Sequence, residues 1–211
     1  MTISNDARDR VKHIFEPIAL GLGRLGLTPD ALTLIGFAIT AVGAVLIGSG
    51  AWIVGGIVVF LGGVFDMFDG TLARATGQAS RLGAFMDSTF DKAGEILVFI
   101  GVVAGLLAAG AADLPIVVAA GAMGAAIMVS YTRAKSDALA YSSGMGLAAV
   151  GVMPREIRLV IIAIGLVLTG TSIGTSAIET AMGVVLVGAV ITVIQRISYV
   201  RRQERQSTRP Q

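Results

Sequence analysis

At 211 residues, with 55% hydrophobic and 14% charged content, a net charge of +2 and a mean hydropathy of +0.82, the chain is far more apolar than a soluble domain. The absence of cysteine excludes disulfides, thiolate nucleophiles and cysteine-based zinc sites, and a single histidine excludes a histidine-rich metal centre. Any metal must therefore be held by oxygen, and the basic residues lack the aromatic interleaving of a nucleic-acid surface.

The opening residues, MTISNDARDRVKHIFEP, mix acids and bases and lack the basic region, apolar run and small-residue cleavage site of a secretory signal. They are expected to remain in the mature protein. Val11, Ile14, Phe15, Ile18, Leu22 and Leu25 recur at helical spacing, while Arg8, Arg10, Lys12 and Glu16 occupy other faces. This predicts an amphipathic juxtamembrane helix within residues 1–27, kinked at Pro17. It would sink its apolar side into the lipid boundary, pack on the end of a helical bundle, or do both. His13 reads as an interfacial or capping residue and is given no chemical role.

Six apolar stretches follow, at 31–50, 52–76, 82–110, 114–140, 155–172 and 176–201, each near the roughly 20 residues that cross a bilayer core. The expected fold is all-α: a single membrane domain over 1–211, with a six-helix transmembrane bundle at 28–201 and a cytoplasmic tail at 202–211. With the N-terminus inside, the outward loops near 50, 110–113 and 171–176 contain no Lys or Arg, and all 16 basic residues fall at cytoplasmic ends. Both termini are thus placed in the cytoplasm, at a cell inner membrane, and the basic tail is expected to be mobile and to touch anionic lipid. The 28 glycines, among them Gly55, Gly56, Gly62, Gly63 and the Gly101/Gly105 pair, permit close helix packing.

Ionisable residues inside spans are costly and mark function. The second span ends VFDMFDGTLARA and the third begins RLGAFMDSTFDKAGE. Asp66 and Asp69 are spaced i, i+3 and Asp87 and Asp91 i, i+4, so each pair leaves one helix face, and a short turn around Ala75–Ser80 lets the two pairs meet. Converging carboxylates need protons or cations, and Mg²⁺ or Mn²⁺ suits an all-oxygen set. Arg74, Arg81 and Lys92 would neutralise part of the charge. Gly70, Ala73 and Arg74 share the face of Asp66, leaving room for a bulky group whose phosphates Arg74 can grip.

A second basic group lies further on: Arg133 and Lys135 end the fourth span, Arg155 and Arg158 begin the fifth, and Arg196 is near the end of the sixth. These five either bind a phosphorylated ligand at the mouth of the same cavity or form a positive-inside collar.

Asp66-x2-Asp69-Gly70-x2-Ala73-Arg74-x8-Gly83-x3-Asp87-x3-Asp91 resembles, at all eight fixed positions, the motif of the CDP-alcohol phosphotransferase family. Thr28-Pro29-Asp30-Ala31-Leu32-Thr33 is similar to the family's motif at the start of its first span, so the likeness extends over nearly the whole chain. The resemblance implies transfer of a substituted phosphate from a CDP-linked donor to an acceptor hydroxyl, with release of CMP. It implies that Asp66, Asp69, Asp87 and Asp91 bind two metal ions, with Asp91 also the base that deprotonates the acceptor. Asp30, Ala31, Leu32, Thr33, Asp66, Asp69, Gly70, Ala73, Arg74 and Ser80 would contact the cytidine diphosphate, Gly83 would give close approach, and a homodimer is expected.

Within the family, Tyr131-Thr132-Arg133-Ala134-Lys135-Ser136-Asp137 followed by Arg155-x2-Arg158-Leu159 looks most like the phosphatidylinositol phosphate synthases, which join CDP-diacylglycerol to inositol 1-phosphate. Relatives commonly have Lys then Arg where Arg133 and Lys135 stand, and Pro-Glu at Glu156-Ile157, so glycerol 3-phosphate is the rival acceptor and an archaeal-type lipid donor the rival donor. The rival class is a metal-ion transporter. Acids gathered toward one membrane face favour headgroup chemistry over transport.

Overall fold

The structure, a computed structural model, describes residues 16–141, 147 and 150–207. The expected juxtamembrane residues up to Phe15, His13 among them, lie outside the described residues. The described chain is helical without a strand: α1 (16–24), α2 (Pro29–Gly48), α3 (Trp52–Ala75), α4 (Arg81–Ala108), α5 (Asp113–Ala138), α6 (Arg155–Thr169) and α7 (Ser176–Ser207).

All six apolar stretches are thus helices, with ends displaced by only a few residues from those expected. Four of them, α2, α3, α5 and α7, are long and apolar enough to cross a membrane. The other two fall short for different reasons. α4 carries the charged residues Asp87, Asp91, Lys92 and Glu95, and α6 has only 15 residues, below the roughly 20 that span a bilayer core. α7 continues as helix to Ser207, into the stretch expected as the cytoplasmic tail.

The helices form two compact units, one made of residues up to Ile47 with Val54–Gly101, the other of Gly48–Ile53 with Val102–Gln211. In the first unit, α2 and α3 approach until only glycine fits between their backbones. A methyl carbon on Gly62 would stand 2.9 Å from the Gly36 carbonyl oxygen, and one on Gly55 would stand 2.8 Å from that of Gly43. Both pairs are seven residues apart, two helical turns, so one stripe of each helix stays in register with the other. Replacing Gly62 by valine forces these backbones apart and is expected to cost about 1–3 kcal/mol, typical of overpacking, read as a lower thermal midpoint in detergent.

α4 meets α2 just as closely: a methyl on Gly101 would lie 2.4 Å from the Ala44 carbonyl, and the rings of Phe37 and Phe90 meet at a tilt of 54° with their centroids 5.0 Å apart. At the other end of α2, Ala19 of α1, Leu32, Phe68 and Leu72 form a buried cluster, with Leu22 and Leu27 packed against it. Part of the apolar side of α1 therefore covers protein, while Ile18 and Leu25 stay exposed. In the second unit, α5 and α6 both pack on α7. α5 buries Ala119, Ala122, Ala126 and Val129, small residues at helical spacing, and α7 buries Ile178, Met182, Val185 and Ala189.

Candidate active site

The hairpin of α3 and α4 carries the four candidate acids. Thr76–Ser80 turn the chain between them, helped by Gly77 at φ +67°, a conformation that costs glycine little. The Ser80 hydroxyl accepts the Gly83 N–H at 2.9 Å and so caps the start of α4. These local devices bring the two helices back to back. One carboxylate oxygen from each of Asp66, Asp69 and Asp87 lies within 4.8 Å of the other two. Asp91, one turn beyond Asp87, is a hydrogen-bond partner of Asp66. The four acids singled out by spacing are therefore gathered, three as a cluster and the fourth against it.

Asp69 is the most firmly held. Its side chain is buried, the Thr33 hydroxyl of α2 donates to one carboxylate oxygen, and the Gly70 N–H donates to the other. The Arg74 guanidinium lies over Gly70, where a methyl would sit 3.2 Å from its nearest nitrogen, and its charge acts on Asp69. Lys92, expected to offset the aspartates, instead pairs with Glu95 at 2.8 Å on its own helix. Glu95 is buried, so this pair holds its own charge within α4.

The donor set fits a divalent cation. Oxygen ligands about 2.1 Å from Mg²⁺ lie at most about 4.2 Å apart, and larger ions accept wider spacing, so a cluster within 4.8 Å closes on such an ion with small side-chain movements.

A cleft of about 190 Å³ opens beside the cluster. Of the residues expected at a nucleotide, Asp30, Thr33, Asp69, Gly70, Ala73, Arg74, Ser80 and Gly83 line it. Ala31, Leu32 and Asp66 are not in its wall. Leu32 is fully buried in the core cluster with Phe68 and Leu72. The Ala31 N–H is taken up by the Thr28 hydroxyl at 3.2 Å. Sequence reasoning missed Pro29, Gln78, Ala79 and Ala84, which also line the cleft, as does Asp87. Pro29 and Ala84 adjoin motif residues, but Gln78 and Ala79 sit in a turn without periodicity.

The five basic residues all belong to the second unit, and they differ in character. Arg133 and Lys135 are exposed on α5. Arg158 is fully buried and donates to the Met153 carbonyl at 3.0 Å. Arg196, also buried, donates to the carbonyls of Val150, at 3.0 Å, and Val129. Arg133, Arg158 and Asp137 are the charged groups acting on Arg196. Arg155 opens α6.

A helical membrane fold whose hairpin gathers carboxylates beside an arginine-lined cleft is that of a membrane transferase acting on phosphate esters. Residues 26–195 match the family model described as CDP-alcohol phosphatidyltransferase, and the chain belongs to that family. It is 33% identical over 190 residues to the archaetidylinositol phosphate synthase of Pyrococcus horikoshii, covering 90% of this chain and 92% of that one. It is 32% identical over 203 residues to the phosphatidylinositol phosphate synthase of Streptomyces avermitilis, covering 93% and 82%. Its fold is similar to the crystal structure of the Mycobacterium tuberculosis phosphatidylinositol phosphate synthase with CDP-DAG bound, at a TM-score of 0.81 and 31% identity over 89% of this chain and 94% of that one. The same enzyme in complex with manganese and citrate matches at a TM-score of 0.79 and 31% identity, over 89% and 88%.

Proposed function

We propose that this membrane transferase moves a phosphatidyl group from CDP-diacylglycerol to inositol 1-phosphate, releasing CMP, with Mg²⁺ or Mn²⁺ held by Asp66, Asp69, Asp87 and Asp91. The observation that carries the reading is the approach of three carboxylates within 4.8 Å beside a cleft lined by Arg74. When bound, the metal supplies charge to offset that developing on the CMP leaving group. Arg74 grips the diphosphate, and Asp30, Thr33 and Ser80 line the space for the nucleoside. Asp91 accepts the proton of the acceptor hydroxyl as that oxygen attacks the phosphorus of the phosphatidyl group and the bond to CMP breaks.

The acceptor reading rests on the second unit. Arg158 and Arg196 are buried, with Arg133 close enough to act on Arg196, and among the described charges acting on Arg196 only Asp137 is negative. Carbonyl partners take up part of each of these guanidinium groups and add no negative charge of their own, so a phosphate dianion suits the cluster better than a neutral alcohol. Lys135 and Arg155 flank it in sequence and are assigned to the same anion. The two curated relatives differ in the lipid half of their names and share the inositol phosphate half, which supports the same acceptor here. The full arrangement proposed is one domain with six crossings, a juxtamembrane amphipathic helix, both termini and the site at the cytoplasmic side of the inner membrane, and a homodimer.

The test is CMP release by protein in liposomes, with each acceptor and with CDP-diacylglycerol or its archaeal-lipid counterpart as donor. Turnover with inositol 1-phosphate is expected. Turnover with glycerol 3-phosphate alone rejects the acceptor, and metal uptake without any nucleotide requirement favours a transporter. Thr33→Val removes the hydroxyl that orients Asp69; a hydrogen bond to a charged group is worth about 1.5–3 kcal/mol, so the donor KM is expected to rise about tenfold or more.

A further inference from the structure

The segment Val150–Pro154, which leads into α6, is fastened to α7 at successive points along one face. Arg196 donates to the Val150 carbonyl at 3.0 Å, and the Thr192 hydroxyl accepts the Met153 N–H at 2.9 Å. Thr192 in turn donates to the Gly188 carbonyl of its own helix at 2.8 Å, so its hydroxyl is used in both directions. Residues 188, 192 and 196 are spaced i, i+4, i+8, one stripe of α7.

The seat is closely fitted. Gly151 has φ +127°, and a methyl there would meet the Thr192 methyl at 2.2 Å; a methyl on Gly188 would meet the end of Met153 at 2.1 Å. Thr192 is fully buried and Met153 nearly so. Pro154 follows with φ −65°, fixed by its ring, and Arg155 begins the helix. Little slack separates the Met153 peptide from Arg155, so a shift of one moves the other.

We propose that Thr192 is a positioning residue for acceptor binding: by accepting the Met153 N–H it seats residues 150–154 on α7 and so sets where α6 starts and where Arg155 presents its charge. The proposal rests on the assignment of Arg155 to the acceptor phosphate. Serine retains both hydrogen bonds of Thr192, whereas valine has nearly the same shape and cannot accept, leaving a buried N–H without its partner.

The experiment is steady-state CMP release by liposome-reconstituted wild type, Thr192→Val and Thr192→Ser, varying inositol 1-phosphate and CDP-diacylglycerol separately. Thr192→Val is expected to raise the KM for inositol 1-phosphate about tenfold, with donor KM and kcat within about twofold of wild type, and Thr192→Ser to restore the acceptor KM. Gly188→Ala, which presses on Met153 from the same face, is expected to raise the acceptor KM in the same selective way if the valine variant does not fold. An unchanged acceptor KM in the foldable variant, or a parallel fall of all constants in valine and serine variants alike, overturns the proposal. Should wild type take glycerol 3-phosphate and not inositol 1-phosphate, the acceptor assignment has failed by itself. The same selective KM change, measured with glycerol 3-phosphate, then upholds or overturns the positioning role.

Discussion

Asp91→Asn is expected to reduce CMP release by about 10³-fold or more while the protein still binds CDP-diacylglycerol. Asparagine keeps the size of the side chain and its place one turn beyond Asp87, so the helix and the cleft beside it are undisturbed. It cannot take a proton at neutral pH, and general-base catalysis alone contributes about 10²- to 10⁴-fold. The loss of one carboxylate charge next to Asp66 adds to the deficit, because Asp91 is the acid paired with Asp66 by a side-chain hydrogen bond. Donor binding is checked by protection of the folded protein against heat in the presence of CDP-diacylglycerol. Turnover close to that of wild type would remove Asp91 from its role as base.

Asp87→Asn acts on a different quantity. Asp87 is the member of the close carboxylate cluster supplied by α4, the other two coming from α3, so in the proposed site its charge would tie the two arms of the hairpin to a common ion. Loss of an outer-shell partner already lowers metal affinity by about 10–100-fold, so loss of a ligand is expected to raise the Mn²⁺ concentration for half-maximal activity by more than about 100-fold. Excess Mn²⁺ should recover part of the rate in Asp87→Asn and none in Asp91→Asn. The two variants thus separate holding the ion from moving the proton. Equal metal requirements in wild type and Asp87→Asn would contradict the assigned ligand.

The hairpin was legible in the sequence because charge is so unfavourable in an apolar stretch that four acids at i, i+3 and i, i+4 spacing have few explanations other than a shared cation. Helix positions were legible for a similar reason, since bilayer thickness fixes the length of apolar runs. Where that constraint ends, so does its power: Arg202–Gln206 is polar, contains neither glycine nor proline, and continues α7 as helix where a tail was expected. Leu32 shows a different limit. It stands between two cleft residues, Asp30 and Thr33, which are i, i+3 neighbours on one face, and the position between them turns toward Phe68 and Leu72. Carrying a motif over as a continuous segment concealed that rotation.

The basic residues show the limit of counting charge. Arg133, Lys135, Arg155, Arg158 and Arg196 look equivalent in sequence, yet Arg158 and Arg196 use part of their guanidinium groups to hold the carbonyls of Met153, Val150 and Val129. The two bonds of Arg196 join residues 46 and 67 positions apart, which no local pattern encodes, whereas Arg158 reaches a carbonyl only five positions back in the chain. Lys92 and Glu95, by contrast, are an i, i+3 pair that helical spacing does encode.

The central claim is that α3 and α4 together hold a divalent cation against the CDP donor. The direct measurement is manganese anomalous scattering from crystals of the protein grown with CDP-diacylglycerol. A peak within bonding distance, about 2.0–2.3 Å, of oxygens from Asp66, Asp69 and Asp87 and facing the donor diphosphate is the result expected. Donor density in the cleft with no manganese among these carboxylates would contradict it.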